Sequence, residues 1–382
     1  MWPGAAILAS MTQRAGKPGP AAVVLGRIDL VRALGRAGIA SVLVAPRGDP
    51  IGRSRHVAGT IDPGADLLEA VLAYAGGAEA PPPLLYDSDA ALMLVSRNRE
   101  RLARAYRFVL PDAELAEDLL DKGRFQALAE RLGLPVPRAR QLTGDDLDLR
   151  FPVVVKASPH RDRRWEEAGF ATKVLLVDDP AGLSDIRVRM QGMGLEAIAQ
   201  ELIPGGENQI ESYHVYVDDE GSVAGGFTGR KIRTAPPEFG MTTSLEITDT
   251  PDVAAAGQDV VERLGFRGVA KLDFKRAPDG RLHLLEVNPR FTLWTYPAAV
   301  AGVNLPAIVY ADLTDRPRPP VARARAGVRW IWPRADAAAA RASGVSRLSW
   351  LLWALRSETN SSFALSDPMP YLARRLRDKV RR

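Results

Sequence analysis

The stretch GVAKLDFKRAPDGRLHLLEVNPRFT, residues 268–292, decides the fold of this chain. Its first half, residues 269–276, alternates apolar and polar side chains as a strand does, and residues 281–288 form a second strand. Between them lies APDG, residues 277–280, which is typical of a turn because proline presets φ and glycine tolerates positive φ. The sequence therefore predicts a β-hairpin.

Three polar side chains of this hairpin are candidates for a metal site. Glu286 and Asn288 are two residues apart, so both leave the same face of the second strand. Asp273 on the first strand can lie on that face if the strands pair through the turn. Two carboxylates and an amide are oxygen ligands that suit Mg²⁺, which takes the rest of its shell from water and phosphates. The alternative is a solvated hairpin face, which the apolar character of the second strand disfavours.

A chain of 382 residues is too long for one core and predicts two or three domains. Its apolar fraction of 46% and charged fraction of 25% are ordinary for a soluble globular protein. It has no cysteine, which excludes disulfides, zinc–thiolate sites and thiol nucleophiles. The four histidines are scattered, so neither a histidine metal site nor a Ser-His-Asp triad is predicted. The opening residues resemble neither a signal peptide nor a membrane span, and we expect a cytoplasmic protein.

Positive charge is concentrated near the C-terminal end. Residues 316–382 hold 15 Lys/Arg against 4 Asp/Glu, so the net charge of +5 comes from this tail, and no nucleic-acid partner is predicted. Four of the seven tryptophans lie between Trp330 and Trp353, and for Trp330 and Trp332 packing is favoured over ligand contact. We expect the tail to be a solvated or docking surface, and weak peripheral contact of its basic and aromatic residues with a membrane is the alternative.

The N-terminal region predicts a parallel α/β sheet. Residues 21–25 and 41–44 are buried-type strands, and the helix between them is expected to be capped by Asp29. A helix near 65–75, a strand near 83–86 and a helix over 90–105 follow in the sequence. The residues after the first strand do not match G-x-G-x-x-G, so no dinucleotide site is predicted.

Two lysines occupy positions that indicate a function. Lys122 lies in the first turn of a helix, where a cation opposes the helix macrodipole, and this indicates an anionic partner, with a solvated side chain as the alternative. Lys156 ends the apolar strand FPVVVK, residues 151–156, and needs a counter-charge. The stretch SPHRDRRW, residues 158–165, is predicted as a mobile loop.

The second half of the chain predicts an antiparallel sheet. Its expected strands before the hairpin are residues 209–217, 222–228 and 243–247. Arg230, Lys231 and Arg233 follow the second of these strands and are expected in a loop. A helix is expected to begin at Pro251, which suits the first helical position, and to stop at Gly265.

These residues resemble the ATP-grasp superfamily, and within it the carboxylate–amine ligases of the D-aspartate ligase kind. Four elements occur in the family's order, and the step from Asp273 to Glu286 also fits. They are DKGRF at 121–125, FPVVVKAS at 151–158, QELIPGGE at 200–207 and LDFK…LLEVNPR within 272–290. One departure is the absence of glycine from SPHRDRRW, where many family members have a glycine-rich phosphate loop.

The resemblance implies an ATP-grasp fold with mixed α/β and α+β layers. We expect an N-terminal α/β domain at 1–110, a small lobe at 111–205, a large lobe at 206–315 and a basic, Trp-rich helical extension at 316–382. ATP is expected to lie between the two lobes.

The resemblance also implies roles for individual residues. Lys122 and Lys156 would contact the phosphates of ATP, and Arg290 would bind a substrate carboxylate or the oxyanion of a tetrahedral intermediate. Arg230 and Lys231 would neutralise charge at the γ-phosphate. The remaining implied contacts are Glu201, Leu202 and Ile203 to adenine, Glu207 to ribose, and Asp273, Glu286 and Asn288 to Mg²⁺, with Mn²⁺ as an alternative.

The implied activity is ATP-dependent ligation of a carboxylate to an amine through an acyl phosphate, with release of ADP and phosphate. The expected partners are small-molecule carboxylates and amines, amino acids among them, and the oligomeric state stays open. Two alternatives are an ATP-grasp carboxylase that uses carboxyphosphate and a non-catalytic ATP-binding protein. The intact set of charged residues argues against the second alternative.

Overall fold

The computed structural model describes residues 19–143, 147–158, 165, 167, 170 and 174–380. Most of the SPHRDRRW stretch, for which we predicted a mobile loop, therefore lies outside the described residues. Within the described ranges, no helix is both long enough and apolar enough to cross a lipid bilayer.

The N-terminal region forms a parallel sheet, as the sequence predicted, and it has four strands in the order β3-β2-β1-β4, of which β3 was not predicted. Its strands are β1 (Ala22–Leu25), β2 (Ser41–Val44), β3 (Val57–Ile61) and β4 (Leu84–Tyr86). Its helices are α1 (Ile28–Arg36), α2 (Leu67–Ala75), α3 (Asp89–Arg97) and α4 (Arg99–Ala103). Alternate residues of β1 enter two different cores, Ala22 on one face and Val23 on the other, which is the period of a strand covered on both sides.

Two details of this region differ from the prediction. The expected cap Asp29 lies inside the first turn of α1, because the cap position belongs to Arg27. Asp29 is buried and accepts a hydrogen bond from Trp330 Nε1 at 3.2 Å, and burial raises the pKa of its carboxyl to about 6. The single helix expected over 90–105 is two helices, α3 and α4, which meet at Asn98.

A second, antiparallel sheet has the order β5-β8-β6-β7. Its strands are β5 (Ala139–Gln141), β6 (Val153–Ser158), β7 (Val174–Val177) and β8 (Glu196–Glu201). Helices α5 (Ala113–Leu120) and α6 (Lys122–Arg131) precede it, and α7 (Pro180–Gly192) packs on it. Val153 and Val155 of β6 are fully buried against Leu183 and Met190 of α7.

The third sheet has seven strands in the order β13-β12-β9-β10-β11-β14-β15. They are β9 (Ile210–Val217), β10 (Val223–Ala235), β11 (Met241–Thr248), β12 (Gly268–Arg276), β13 (Leu282–Asn288), β14 (Arg329–Ile331) and β15 (Thr359–Asn360). The accompanying helices are α8 (Pro251–Arg263), α9 (Thr295–Ala301), α10 (Leu305–Leu313), α11 (Pro333–Ala342), α12 (Arg347–Leu355) and α13 (Met369–Val380). The predicted hairpin is β12–β13, with Gly280 at φ +85° in its turn.

The prediction that Arg230, Lys231 and Arg233 lie in a loop is wrong. All three belong to β10, which continues to Ala235. Arg230 lies opposite Glu211 on one neighbouring strand and opposite Glu246 on the other. These acidic neighbours, together with hydrogen bonds to a strand on each side, stabilise the basic residues within the sheet. The alternation of apolar and polar residues had predicted that the strand ends before them.

The tail is docked on the rest of the protein and is not only helical. Strands β14 and β15 extend the third sheet, and two ion pairs add to this attachment. Arg32 pairs with Asp367 at 3.2 Å, with both side chains almost fully buried, and Arg233 pairs with Asp336 at 2.6 Å. The tail therefore has a fixed place on the sheet and on α1.

Candidate active site

The hairpin places Asp273 and Glu286 directly opposite each other on β12 and β13. A β-bulge between Asp273 and Phe274 produces this register, because Phe274 pairs with Leu284 and leaves Leu285 as the extra residue. Without the bulge, Asp273 would lie opposite Leu285, and the two carboxylates would leave different faces of the sheet.

Asp273 is almost fully buried and is surrounded by donors. Its Oδ2 accepts hydrogen bonds from Lys231 Nζ at 2.8 Å and Lys271 Nζ at 2.6 Å. Its Oδ1 accepts one from Ser212 Oγ at 2.5 Å. Burial lowers the pKa of Lys271, whereas for Lys231 the opposing effect of burial is outweighed by Asp273 and Glu286, so its pKa is raised.

Glu286 lies within reach of a third lysine. Lys122 Nζ, at the first turn of α6, is 3.4 Å from Glu286 Oε2, and Asn288 Nδ2 donates to Glu286 Oε1 at 3.0 Å. Burial alone would raise the pKa of Glu286, but Lys122, Lys271 and Lys231 outweigh it and hold the pKa well below its usual range. Lys122 thus has an anionic partner, as its position in the helix indicated.

Among the described residues Lys156 has no carboxylate in direct contact, and the counter-charge that the sequence led us to expect is Glu286, which acts on it electrostatically from a greater distance. The Lys156 Nζ donates to a neutral group, Gln200 Oε1, at 2.6 Å. Burial and the nearby Lys122 lower the pKa of Lys156 to about 8, and they outweigh the opposing effect of Glu286. A neutral amide oxygen is thus the direct partner of this ammonium, and Glu286 is its more distant counter-charge.

These residues form one charged cluster. Four ammonium groups meet two carboxylates, and Lys156 interacts electrostatically with both Lys122 and Glu286, which links the second sheet to the hairpin. An excess of buried positive charge at the junction of two sheets suits a polyanion, since phosphate oxygens can replace the carboxylates as partners of the lysines. The members of this lysine–carboxylate cluster are Lys122, Lys156, Lys231, Lys271, Asp273 and Glu286.

Arg290 lies beside the cluster, just beyond the end of β13. Strand β13 ends at Asn288, so Arg290 is not on the same strand face. Its guanidinium forms an ion pair with Asp89, in the first turn of α3, and contacts Asn288 Oδ1 at 3.4 Å. The N-terminal domain therefore holds Arg290 next to the third candidate metal ligand.

Arg230 is not brought to this cluster. Its guanidinium pairs with Glu246 at 3.2 Å and is 42% exposed, whereas the next residue, Lys231, contacts Asp273. Successive side chains of a strand leave opposite faces of the sheet. The two residues that we had both assigned to the γ-phosphate are therefore on different faces.

The residues expected at adenine and ribose lie at the end of β8, where Glu201 is the last residue, and on the segment that follows this strand. The Glu201 side chain is buried against Arg150, with 2.9 Å between Glu201 Oε2 and Arg150 Nη2, and the Leu202 N–H donates to the Pro152 carbonyl. Glu207 accepts a hydrogen bond from the Thr234 N–H at 3.0 Å. Of the N–H groups of Glu201, Leu202 and Ile203, that of Ile203 has no hydrogen-bond partner among the described residues, so a ligand can use it as a donor.

Sequence reasoning missed Lys271 and Ser212. Lys271 is two residues from Asp273 on the same strand, so the period of two that grouped Glu286 with Asn288 could have identified it. Ser212 had no such signal, because its position opposite Asp273 follows only from the pairing of β9 with β12.

Asp273, Glu286 and Asn288 fit a hard divalent cation. Their oxygen atoms are the donors that Mg²⁺ prefers, and the carboxylates carry two negative charges on rigid strands.

The chain is similar in sequence to a family and to several curated proteins. The family described as "ATP-grasp in the biosynthetic pathway with Ter operon" matches residues 229–333. The D-aspartate ligase of Enterococcus faecium (strain Aus0004) is 23% identical over 245 residues, which are 60% of this chain and 58% of that one. The D-alanine–D-alanine ligase of Neisseria gonorrhoeae (strain FA 1090) is 27% identical over 219 residues, which are 51% and 65%. The chain thus spans about three fifths of the length of these relatives.

Solved structures share the fold more completely. The ADP complex of N5-carboxyaminoimidazole ribonucleotide synthetase has a TM-score of 0.62 at 15% identity, covering 82% of this chain and 80% of that one. A biotin carboxylase of Campylobacter jejuni scores 0.61 at 13% identity, covering 81% and 74%. The L-amino acid ligase of Bacillus licheniformis scores 0.58 at 16% identity, covering 78% and 75%.

Proposed function

Because this chain has the ATP-grasp fold, we propose that it is an ATP-dependent carboxylate–amine ligase that forms an amide or peptide bond. The observation that carries the proposal is the lysine–carboxylate cluster, in which Lys122, Lys231 and Lys271 surround Asp273 and Glu286. The ligases among its sequence relatives favour this class of reaction over others of the same fold.

ATP is proposed to bind between the second sheet and the hairpin. Lys122 and Lys156 contact its phosphates, and the Ile203 N–H and the neighbouring backbone of Glu201 and Leu202 meet the adenine edge. Glu207 accepts hydrogen bonds from the ribose hydroxyls, in place of the Thr234 contacts it makes now. Support for this placement comes from the unpaired N–H of Ile203 and from the position of Lys156 between Gln200 and Lys122.

Asp273, Glu286 and Asn288 would hold Mg²⁺ or Mn²⁺, which supplies charge neutralisation to the transferring phosphoryl group. The ammonium groups of Lys231 and Lys271 point at Asp273 and so can donate to the γ-phosphate oxygens next to it. Arg230 pairs with Glu246 instead, and we no longer assign it to the γ-phosphate.

The chemistry follows from the poor reactivity of a carboxylate. Attack of one carboxylate oxygen on the γ-phosphorus breaks the bond to the β-phosphate oxygen and yields an acyl phosphate and ADP. The amine then attacks the acyl carbon, a proton leaves the nitrogen, and phosphate departs from the tetrahedral intermediate. Arg290 is placed beside Asn288, where its planar guanidinium can bind the carboxylate and then the oxyanion.

The test is to identify the nucleotide products while pools of carboxylates and amines are supplied. ADP and phosphate that form only when one carboxylate and one amine are both present support the ligase. Hydroxylamine should capture the acyl phosphate as a hydroxamate. AMP and pyrophosphate would mean an acyl adenylate and would overturn the proposal.

A carboxylase that activates bicarbonate is the second candidate. The observation in its favour is that the N5-carboxyaminoimidazole ribonucleotide synthetase and the biotin carboxylase share the fold. ADP formation that depends on bicarbonate, with no requirement for another carboxylate, would select it. Tight ATP binding without turnover in any of these mixtures would select a non-catalytic binding protein.

A further inference from the structure

Helix α12 (Arg347–Leu355) displays an apolar stripe to solvent. Four leucines at spacing i, i+3, i+4 and i+7 share one helical face. They are 67%, 46%, 49% and 74% exposed in the order Leu348, Leu351, Leu352 and Leu355. No residue of this helix is buried. Four aliphatic side chains on one exposed face form a contiguous apolar patch. Such patches mark interaction sites, whereas apolar residues scattered singly over a surface do not.

The opposite face of α12 attaches the helix to the protein. Trp350 Nε1 donates to Asp336 at 2.9 Å, and the Trp353 ring lies 4.8 Å from the guanidinium of Arg233. Asp336 and Arg233 are themselves a buried ion pair. The tryptophans that suggested a membrane interface in the sequence are thus used for packing, and the large apolar side chains that α12 exposes are its leucines. The contacts of the tryptophan face therefore fix the helix, and with it the leucine stripe, on the protein.

The charge around the stripe indicates what covers it. Arg347 and Arg356 flank it at the two ends of α12, both are exposed, and neither has an ion-pair partner among the described residues. The tail as a whole carries 15 Lys/Arg against 4 Asp/Glu. A second copy docked through this face would bring like charges together, whereas an anionic surface would be attracted. Arginines have long apolar stems, so their charged ends can reach lipid phosphates while leucines enter the acyl boundary.

We propose that the leucine stripe of α12 binds the surface of a bilayer that contains anionic lipids. The helix lies in the plane of the interface, with the leucines inserted and with Arg347 and Arg356 at the headgroups. The binding is peripheral and reversible, because two helical turns bury little apolar surface. This proposal does not depend on the ligase activity, since none of these residues belongs to the lysine–carboxylate cluster.

The experiment is vesicle flotation of the full chain at low and high salt. Vesicles contain phosphatidylcholine alone or phosphatidylcholine with phosphatidylserine. The main variant replaces the four stripe leucines with glutamine, and the matched control replaces two exposed valines elsewhere, Val188→Gln and Val223→Gln, which are 62% and 42% exposed. A second variant, Arg347→Gln with Arg356→Gln, removes only charge. Thermal unfolding shows whether each variant is folded.

We expect the wild type and the valine control to float with the anionic vesicles only, and less at high salt. The leucine variant should stay at the bottom, and loss of both arginines should weaken binding about thirtyfold, or about fivefold for each charge. The proposal is overturned if the wild type does not float, or if both variants float as the wild type does. It is also overturned if sedimentation shows a dimer that the leucine variant dissociates, since a second copy would then cover the stripe.

Discussion

Replacing Lys271 with methionine tests the newly recognised member of the lysine–carboxylate cluster. Lys271 Nζ contacts Asp273 Oδ2 at 2.6 Å and is 9% exposed in its side chain. A unit charge about 4 Å from the transferring phosphoryl group would contribute about 4 kcal/mol at an effective dielectric constant of about 20. Part of this interaction already stabilises bound ATP, and only the remainder lowers the barrier to phosphoryl transfer. We therefore expect turnover to fall roughly 10²–10³-fold.

The fold should tolerate this change. Asp273 keeps Lys231 Nζ at 2.8 Å and Ser212 Oγ at 2.5 Å as donors. The lost charge-assisted hydrogen bond is worth about 1.5–3 kcal/mol, but a buried ammonium whose pKa is lowered by burial is removed with it. Thermal unfolding should therefore shift by only a few degrees, roughly, in a chain of this size.

The assay is ADP release at saturating ATP and at varied ATP, so that turnover and KM are separated. Lys275→Met is the matched control, because Lys275 lies on the same strand and donates at 2.6 Å to the carbonyls of Gly205 and Gly206 and not to a carboxylate. That variant should raise the KM for ATP more than it lowers turnover. Turnover of Lys271→Met within about threefold of the wild type, or equal losses in both variants, would refute the reasoning.

Four further outcomes are expected. Glu286→Gln keeps the shape of the side chain but removes a ligand charge, so ADP release should fall by orders of magnitude while circular dichroism stays unchanged; activity near that of the wild type would contradict the metal assignment. Arg290→Lys keeps the charge but loses the planar guanidinium, so the KM for the carboxylate substrate should rise more than the KM for ATP. Equal changes in the two KM values would count against a role of Arg290 in carboxylate binding. Because burial lowers the pKa of Lys156 to about 8, its proton is lost as pH rises through 8, so ATP affinity should fall above pH 8 in the wild type and not in Lys156→Met. The stability effect has the opposite sign: the unfolded chain holds this proton up to the ordinary lysine pKa of 10.5, so the free energy of unfolding should rise between pH 8 and 10.5, as denaturant titrations of the free protein would show.

The sequence alone determined the elements that depend on local chemistry. The alternation over 269–276 and the turn around Gly280 were sufficient for the hairpin, and the apolar run at 21–25 was sufficient for a strand of a parallel sheet. Spacing by two residues grouped Glu286 with Asn288, and the helix position of Lys122 indicated its anionic partner. These inferences succeeded because side-chain period and helix polarity are properties of the chain within a few residues.

Tertiary structure decided which side chains meet. The extra residue Leu285 in β13 places Asp273 opposite Glu286, and nothing in the local pattern distinguishes this bulge from a regular ladder. Ser212 reaches Asp273 only because β9 lies beside β12, and Lys156 has Gln200 for a partner because β6 and β8 are neighbours. The register and the order of strands are set by contacts between residues far apart in the chain. Local sequence patterns could therefore identify candidate charged groups for this site but not which of them pair.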